Sequence, residues 1–254
     1  MTNQNPNGVL ITTIENTVAT LEFGHPASNS FPSNLLDRLT NELNSLSDNP
    51  IVSVIVLKSS GSGAFCAGAS FDELKSVSNL EEAIKFFSGF ANVLNAMRNC
   101  SKIIIGRIHG KAVGGGVGIA ATCDYALATS GSDIKLSELA IGIGPFVIEP
   151  AVIRKIGKSA MAEMTLETKW KTATWANQKG LYAKVFETTA ELDVEIMVFA
   201  NKLASYNPDA LIEIKKMFWE GTEIWKNLLY ERAEISGKLL LSDFSRKALN
   251  QFKK

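Results

Sequence analysis

From Ile103 to Glu138 the chain reads IIIGRIHGKAVGGGVGIAATCDYALATSGSDIKLSE, and this stretch decides the fold. It opens on β-branched residues, Ile103 to Ile105 and on to Ile108, which suit a buried strand. A triple glycine follows, Gly114-Gly115-Gly116, and then a small apolar run, Val117 to Ala121, which suits a buried helix. Where a strand delivers the chain into glycines at a helix start, no side chain shields the helix N–H groups from an anionic or polarised oxygen. The same glycines also serve a plainer purpose, close packing of strand on helix. This stretch alone leaves both readings open.

Outward from it, 254 residues suffice for one large domain or two small ones with a sizeable core. Apolar residues make up 46% and charged residues 20%, ordinary for a globular chain. Lys+Arg and Asp+Glu balance at 26 each, so nothing points to nucleic acid or an anionic membrane as partner. Three cysteines, Cys66, Cys100 and Cys123, lack metal-ligand spacing, and their odd number argues against a disulfide framework. With only His25 and His109, a histidine-rich metal site is excluded. The N-terminus, MTNQNPNG, has neither signal-peptide nor transit-peptide character, and no run reaches the roughly 20 apolar residues of a membrane span. These features predict a reduced, cytoplasmic protein.

Upstream, residues 8–23 predict two short strands turning at Glu15-Asn16, and HPASNSFPS predicts a loop. Leucines at 35, 36, 39, 43 and 46 mark a helix from Asn34 to Leu46. IVSVIVLK (51–58) predicts a strand running into the loop SSGSGAFCAGA. Ser70 with Glu73 fits a capping box, and a longer helix covers Leu80 to Arg98. Short strands near 124–128 and 133–136 complete the order β-β-α, β-α, β-α-β-β, which favours a mainly parallel sheet under helices. From about Val147 helical patterns dominate, with LYAKVF (181–186) the exception; 190–205, 209–220 and 223–241 are amphipathic. No Pro-, Gly- or Ser-rich linker divides the chain. Phe218, Trp219, Trp225 and Tyr230 belong either to a subunit contact or to the chain's own core.

Two segments share one shape, strand then glycine-rich turn then helix start: FCAGASFDEL (65–74) and HGKAVGGGVG (109–118). If both present N–H groups to one cleft, they form an oxyanion hole. Together with CDY and SELAIGIGP (137–145), these segments resemble the enoyl-CoA hydratase/isomerase, or crotonase, superfamily, over most of the chain. The resemblance implies an α/β fold, a spiral of ββα units over 1–200, with residues 201–254 forming a helical C-terminal trimerisation region of the same domain. It implies an acyl-CoA thioester as substrate, a homotrimer or hexamer, and no cofactor beyond the coenzyme A of the substrate. By motif match, the oxyanion hole is the N–H of Ala69 (or, one step off, Gly68 or Ala67) with that of Gly115. Cys66, Ala67 and Gly68, with Gly114 opposite, then lie along the coenzyme A, and Lys253 and Lys254 are candidates for its phosphates.

Glu138 matches a family catalytic glutamate. Its place between a short strand and an apolar run favours desolvation, which raises a carboxyl pKa toward neutrality; a helix-start acid favouring the dipole is the plain alternative. The second glutamate of the usual hydratase is absent, since Gly118 stands there. That leaves hydration of a 2-enoyl-CoA and isomerisation of a 3-enoyl-CoA both open, with Glu149 a reserve second acid. Asp72 and Glu73 read as caps, Asp124 as a turn residue, His109 as structural, and Cys66 as a core thiol without a base. Phe86, Phe87, Phe90, Ile141 and Phe146 fit either a pocket lining or the core. Gly116-Val-Gly118-Ile-Ala-Ala121 also satisfies a G-x-G-x-x-A pattern with Glu138 about 20 residues on, the mark of an NAD(P)-binding oxidoreductase. Against it, the strand ends well before Gly116. A non-catalytic acyl-CoA-binding scaffold is the third reading.

Overall fold

The computed structural model describes residue 5 and residues 7–251. β1 (Val9–Glu15) and β2 (Val18–Gly24) form an antiparallel hairpin. Its turn residues are Asn16 and Thr17, at φ 47° and 66°, one place beyond the predicted turn. Two consecutive left-handed residues match the right-handed twist of the strands they join. α1 (Ser33–Asp48) buries its leucine stripe completely, and β3 (Val54–Ser59) begins later than predicted because Ile51 faces solvent.

Next come α2 (Phe71–Ser76), α3 (Leu80–Asn99), β4 (Ile103–Ile108), β5 (Ala112–Val113) and α4 (Gly115–Thr122). β6 (Tyr125–Thr129), β7 (Ile134–Lys135) and a 3-10 turn at Glu138–Ile141 lead into α5 (Glu149–Glu167) and α6 (Ala173–Gln178). The chain then runs through β8 (Lys184–Phe186), α7 (Thr189–Ala204), α8 (Pro208–Phe218), α9 (Trp225–Leu240) and α10 (Asp243–Gln251). No helix among the described residues is long and apolar enough to cross a membrane.

The main sheet has the order β1-β2-β3-β4-β6-β8, parallel throughout except for the first pair. A second, sparser layer consists of β5 beside β7 and single bridges Phe31–Ala69, Cys66–Ala112 and Ile134–Lys171. Each winding therefore runs from a long strand to a short extended segment to a helix, the ββα spiral expected. One sheet face carries the larger core under α1, α3 and α4; the other is covered by α7 and α8, with Val54, Val56, Ile105 and Leu127 meeting Leu192, Ile196 and Leu211.

The boundary expected at residue 200 falls inside α7. α9 runs along α3, where Gly237 is so close that a Cβ on it would stand 3.1 Å from the Ala83 Cβ. Trp219 and Trp225 pack edge to face at 5.7 Å inside this chain's own core, whereas Phe218 and Tyr230 stay exposed. Asp124 does more than fix a turn. Its carboxylate accepts from the Ile104 N–H (2.7 Å), Lys215 Nζ (2.8 Å) and Trp219 Nε1 (2.7 Å), so one buried acid ties α8 to the start of β4.

Candidate active site

Two neighbouring windings bring the glycine-rich segments together. In the bridge between Phe31 and Ala69, the ladder bonds run from Phe31 N–H to Gly68 O (2.8 Å) and from Ser70 N–H to Phe31 O (2.8 Å). A parallel bridge of this type leaves the N–H of Ala69 itself turned away from the ladder. Its neighbours are committed: Ala67 N–H to Ser28 O (3.0 Å) and Gly68 N–H to Cys66 Sγ (3.3 Å). Of the three donors the sequence left open, only Ala69 has no partner among the described residues.

Gly115 opens α4, where an N–H has no partner within the helix. The preceding Val113 and Gly114 N–H groups donate to Cys66 O and Lys135 O, both at 2.9 Å. Gly68, at φ +89°, lies against this helix start; a Cβ on it would meet Val113 O at 2.9 Å and Gly115 N at 3.5 Å. A side chain on Gly115 would run into the Phe90 ring, at 2.2 Å from Cε1. Ala69 and Gly115 are both partly exposed, so two donors without a partner among the described residues lie at and beside the α4 start.

Glu138 stands beside it. A Cβ on Gly114, which holds φ +51°, would lie 2.8 Å from Glu138 Oε1. Although Glu138 as a whole is partly exposed, its Oε2 is inaccessible to solvent and has no hydrogen-bond partner. Burial pushes its pKa up to about 7, against a smaller opposing pull from the backbone N–H groups of Glu138 and Ser137. Glu138 lines a cavity of about 40 Å³ together with Phe87, Phe90, Gly144 to Ile148 and Ser236. Phe87, Phe90 and Phe146 are therefore lining, while Phe86 is core.

The position of the missing second acid is not an empty slot. A Cβ on Gly118 would meet Ile148 Cγ2 at 2.4 Å and Cβ at 2.6 Å, so a buried isoleucine fills the space. Ile148 escaped the sequence reading; its only signal was the glycine itself, which implies a bulky neighbour without naming it. Glu149 does not compensate. Its carboxylate pairs with Arg232 Nη1, and the same nitrogen donates to Phe146 O at 3.2 Å.

The remaining candidates divide. Cys66 has both backbone groups engaged, N–H to Lys111 O (3.2 Å) and C=O from Val113 N–H (2.9 Å), so it offers a ligand no free donor. Its thiol is buried and pushed up to about 12. Gly114 likewise spends its N–H on Lys135 and its C=O on Val117 and Gly118; its role is to leave room for Glu138. Glu73 forms half of the predicted capping box: its N–H donates to Ser70 Oγ, but its carboxylate accepts the Ser33 N–H (2.8 Å) and caps α1, where Pro32 has no side-chain acceptor. His109 is buried without a partner on either ring nitrogen, and burial with the nearby Arg107 charge lowers its pKa to about 4. Lys253 and Lys254 lie outside the described residues. The dinucleotide reading fails on geometry: β4 ends at Ile108, and β5 intervenes before Gly116.

Among known proteins, residues 13–252 match the family described as enoyl-CoA hydratase/isomerase. The mitochondrial enoyl-CoA hydratase of Pongo abelii is 30% identical, with 91% of this chain and 77% of the relative covered. The 2,3-dehydroadipyl-CoA hydratase of Escherichia coli (strain K12) is 28% identical over 85% of this chain and 83% of its own. A solved structure from Mycobacterium avium paratuberculosis K-10 superposes with a TM-score of 0.86 at 25% identity, covering 95% of each chain.

Proposed function

The chain belongs to the enoyl-CoA hydratase/isomerase family, and from that premise we propose that it isomerises a 3-enoyl-CoA to the 2-enoyl-CoA with Glu138 as its single acid–base residue. The observation that carries this reading is the occupation of the second acid's space by Ile148. Hydration needs a water held and activated in line with the double bond, and here a single acid lines a small cavity with mostly apolar walls. Isomerisation needs one base that takes a proton and returns it.

In the proposed step, the thioester oxygen accepts the Ala69 and Gly115 N–H groups, with the coenzyme A along Ala67 to Ala69. The Glu138 carboxylate takes a proton from the α-carbon. The electron pair passes into a dienolate whose negative charge rests on the oxygen between the two donors. Glu138, now protonated, returns its proton to the γ-carbon; the pair flows back, the double bond stands at the 2-position, and the carboxylate is restored. A pKa near 7 suits a group that must both take and give a proton at neutral pH. The proposal includes the homotrimer or hexamer that the family implies, for which exposed Val194, Val198 and Ile224 are apolar surface.

A second reading is hydration, favoured by relatives such as the Pongo abelii enoyl-CoA hydratase and the Escherichia coli 2,3-dehydroadipyl-CoA hydratase. Ultraviolet absorbance of the conjugated thioester separates them. The account expects absorbance to rise with a 3-enoyl-CoA and to hold steady with a 2-enoyl-CoA. Loss of absorbance from the 2-enoyl substrate at a comparable kcat makes the enzyme a hydratase.

A further inference from the structure

The wall of Glu138's cavity has a second side. Pro145 and Phe146 line the small cavity of about 40 Å³ and also a groove of about 680 Å³ whose walls include Ile153, Met161, Leu166 and Ile235. On α9 the division repeats: Ser236 faces the inner cavity, while Ile235 and Arg232 face the outer groove. Phe146 is the aromatic residue that the two linings share. Phe146 is fixed there twice, its carbonyl by Arg232 at 3.2 Å and its ring by Gly144, where a Cβ would stand only 2.6 Å from the ring Cζ.

Resting on the acyl-CoA reading above, we propose that Phe146 sets the acyl-chain length, closing Glu138's cavity to all but short chains and shutting them off from the apolar groove behind it. A substrate whose thioester lies between Ala69 and Gly115, and whose α-carbon lies at Glu138, directs the rest of its chain toward Phe87, Phe90 and Phe146. The inner space holds a few non-hydrogen atoms. A longer unbranched chain meets the Phe146 ring; without that ring it continues into a groove with mostly aliphatic walls. The occupant is an alkyl chain because the groove borders the same Phe146 as the Glu138 cavity and its lining supplies mostly dispersion contacts.

The test compares kcat/KM for four-carbon and ten-carbon enoyl-CoA, offered as both the 2- and 3-enoyl isomers, in wild type, Phe146→Ala and Phe146→Ala/Ile235→Phe. Wild type is expected to favour four carbons by about 50-fold or more, the scale on which a closed apolar pocket discriminates added methylenes. Phe146→Ala is expected to cut that ratio at least about tenfold, with the ten-carbon value itself rising. Ile235→Phe, by refilling the groove, is expected to restore much of the preference. Should Phe146→Ala not fold, Phe146→Leu serves, with an intermediate ratio expected. Equal use of both lengths by wild type, or an unchanged ratio in a folded and active variant, overturns the inference alone. A wild-type protein that uses neither length and binds neither overturns the acyl-CoA reading, and the inference with it.

Discussion

A carboxyl group with no hydrogen bond at one buried oxygen destabilises the fold it sits in, and Glu138 is such a group. Its pKa, raised from 4.5 to about 7, means that the native state holds this proton more tightly than the unfolded chain does. Between those two pH values the native state binds more protons, so stability falls as pH rises through the window and is lowest above it. Glu138→Gln removes the charge at nearly constant shape. The Tm gap, variant minus wild type, is therefore expected to widen from pH 5 to pH 8 by the equivalent of on the order of 2 kcal/mol. Melts by circular dichroism measure this, and a gap independent of pH contradicts it. At the same scale, Gly118→Glu is expected not to restore a second acid. Its side chain collides with Ile148 and buries an unpaired charge, at a cost of about 3 kcal/mol visible in a urea titration. A variant as stable as wild type contradicts the account. Glu138 was singled out by the resemblance that SELAIGIGP carries, with the flanking strand and apolar run in support. Ile148 was not, because its contact with Gly118 spans 30 positions and exists only after folding.

Among the elements, β-branched runs and the leucine stripe sufficed to place β3, β4 and α1 to within a few residues. Less legible were partnerships between elements. Asp124 read as a turn residue, yet it holds Lys215, Trp219 and the Ile104 N–H together, with both charged side chains almost wholly buried. Asp124→Ala strands the Lys215 charge in the interior and is expected to cost about 3–5 kcal/mol. Lys215→Met is expected to cost less, since it leaves the carboxylate its Trp219 and Ile104 donors. Chemical denaturation of the two variants checks the order, and equal or reversed losses contradict it. Glu73 teaches the same lesson: its spacing from Ser70 predicted a local cap, but its carboxylate serves a helix 40 positions upstream.

For the whole molecule, a spiral makes successive windings neighbours, and this is why two segments of like shape, 65–74 and 109–118, lie side by side. Shape similarity between the segments was visible in the sequence; that Ala69 rather than Gly68 keeps a free N–H was not, because the choice depends on the bridge register with Phe31. The C-terminal helices return to α3 of the same chain, so the wall of the site is contributed by residues as distant as Phe87 and Ser236. The most direct test of the account asks whether this convergence moves a proton through Glu138. Wild type and Glu138→Gln should be compared for turnover of a 3-enoyl-CoA by absorbance and for binding of the saturated acyl-CoA by calorimetry. In the variant kcat is expected to fall at least about 10³-fold while Kd changes less than about threefold, since the N–H pair and the cavity remain. A variant that retains more than about a tenth of the wild-type kcat contradicts it.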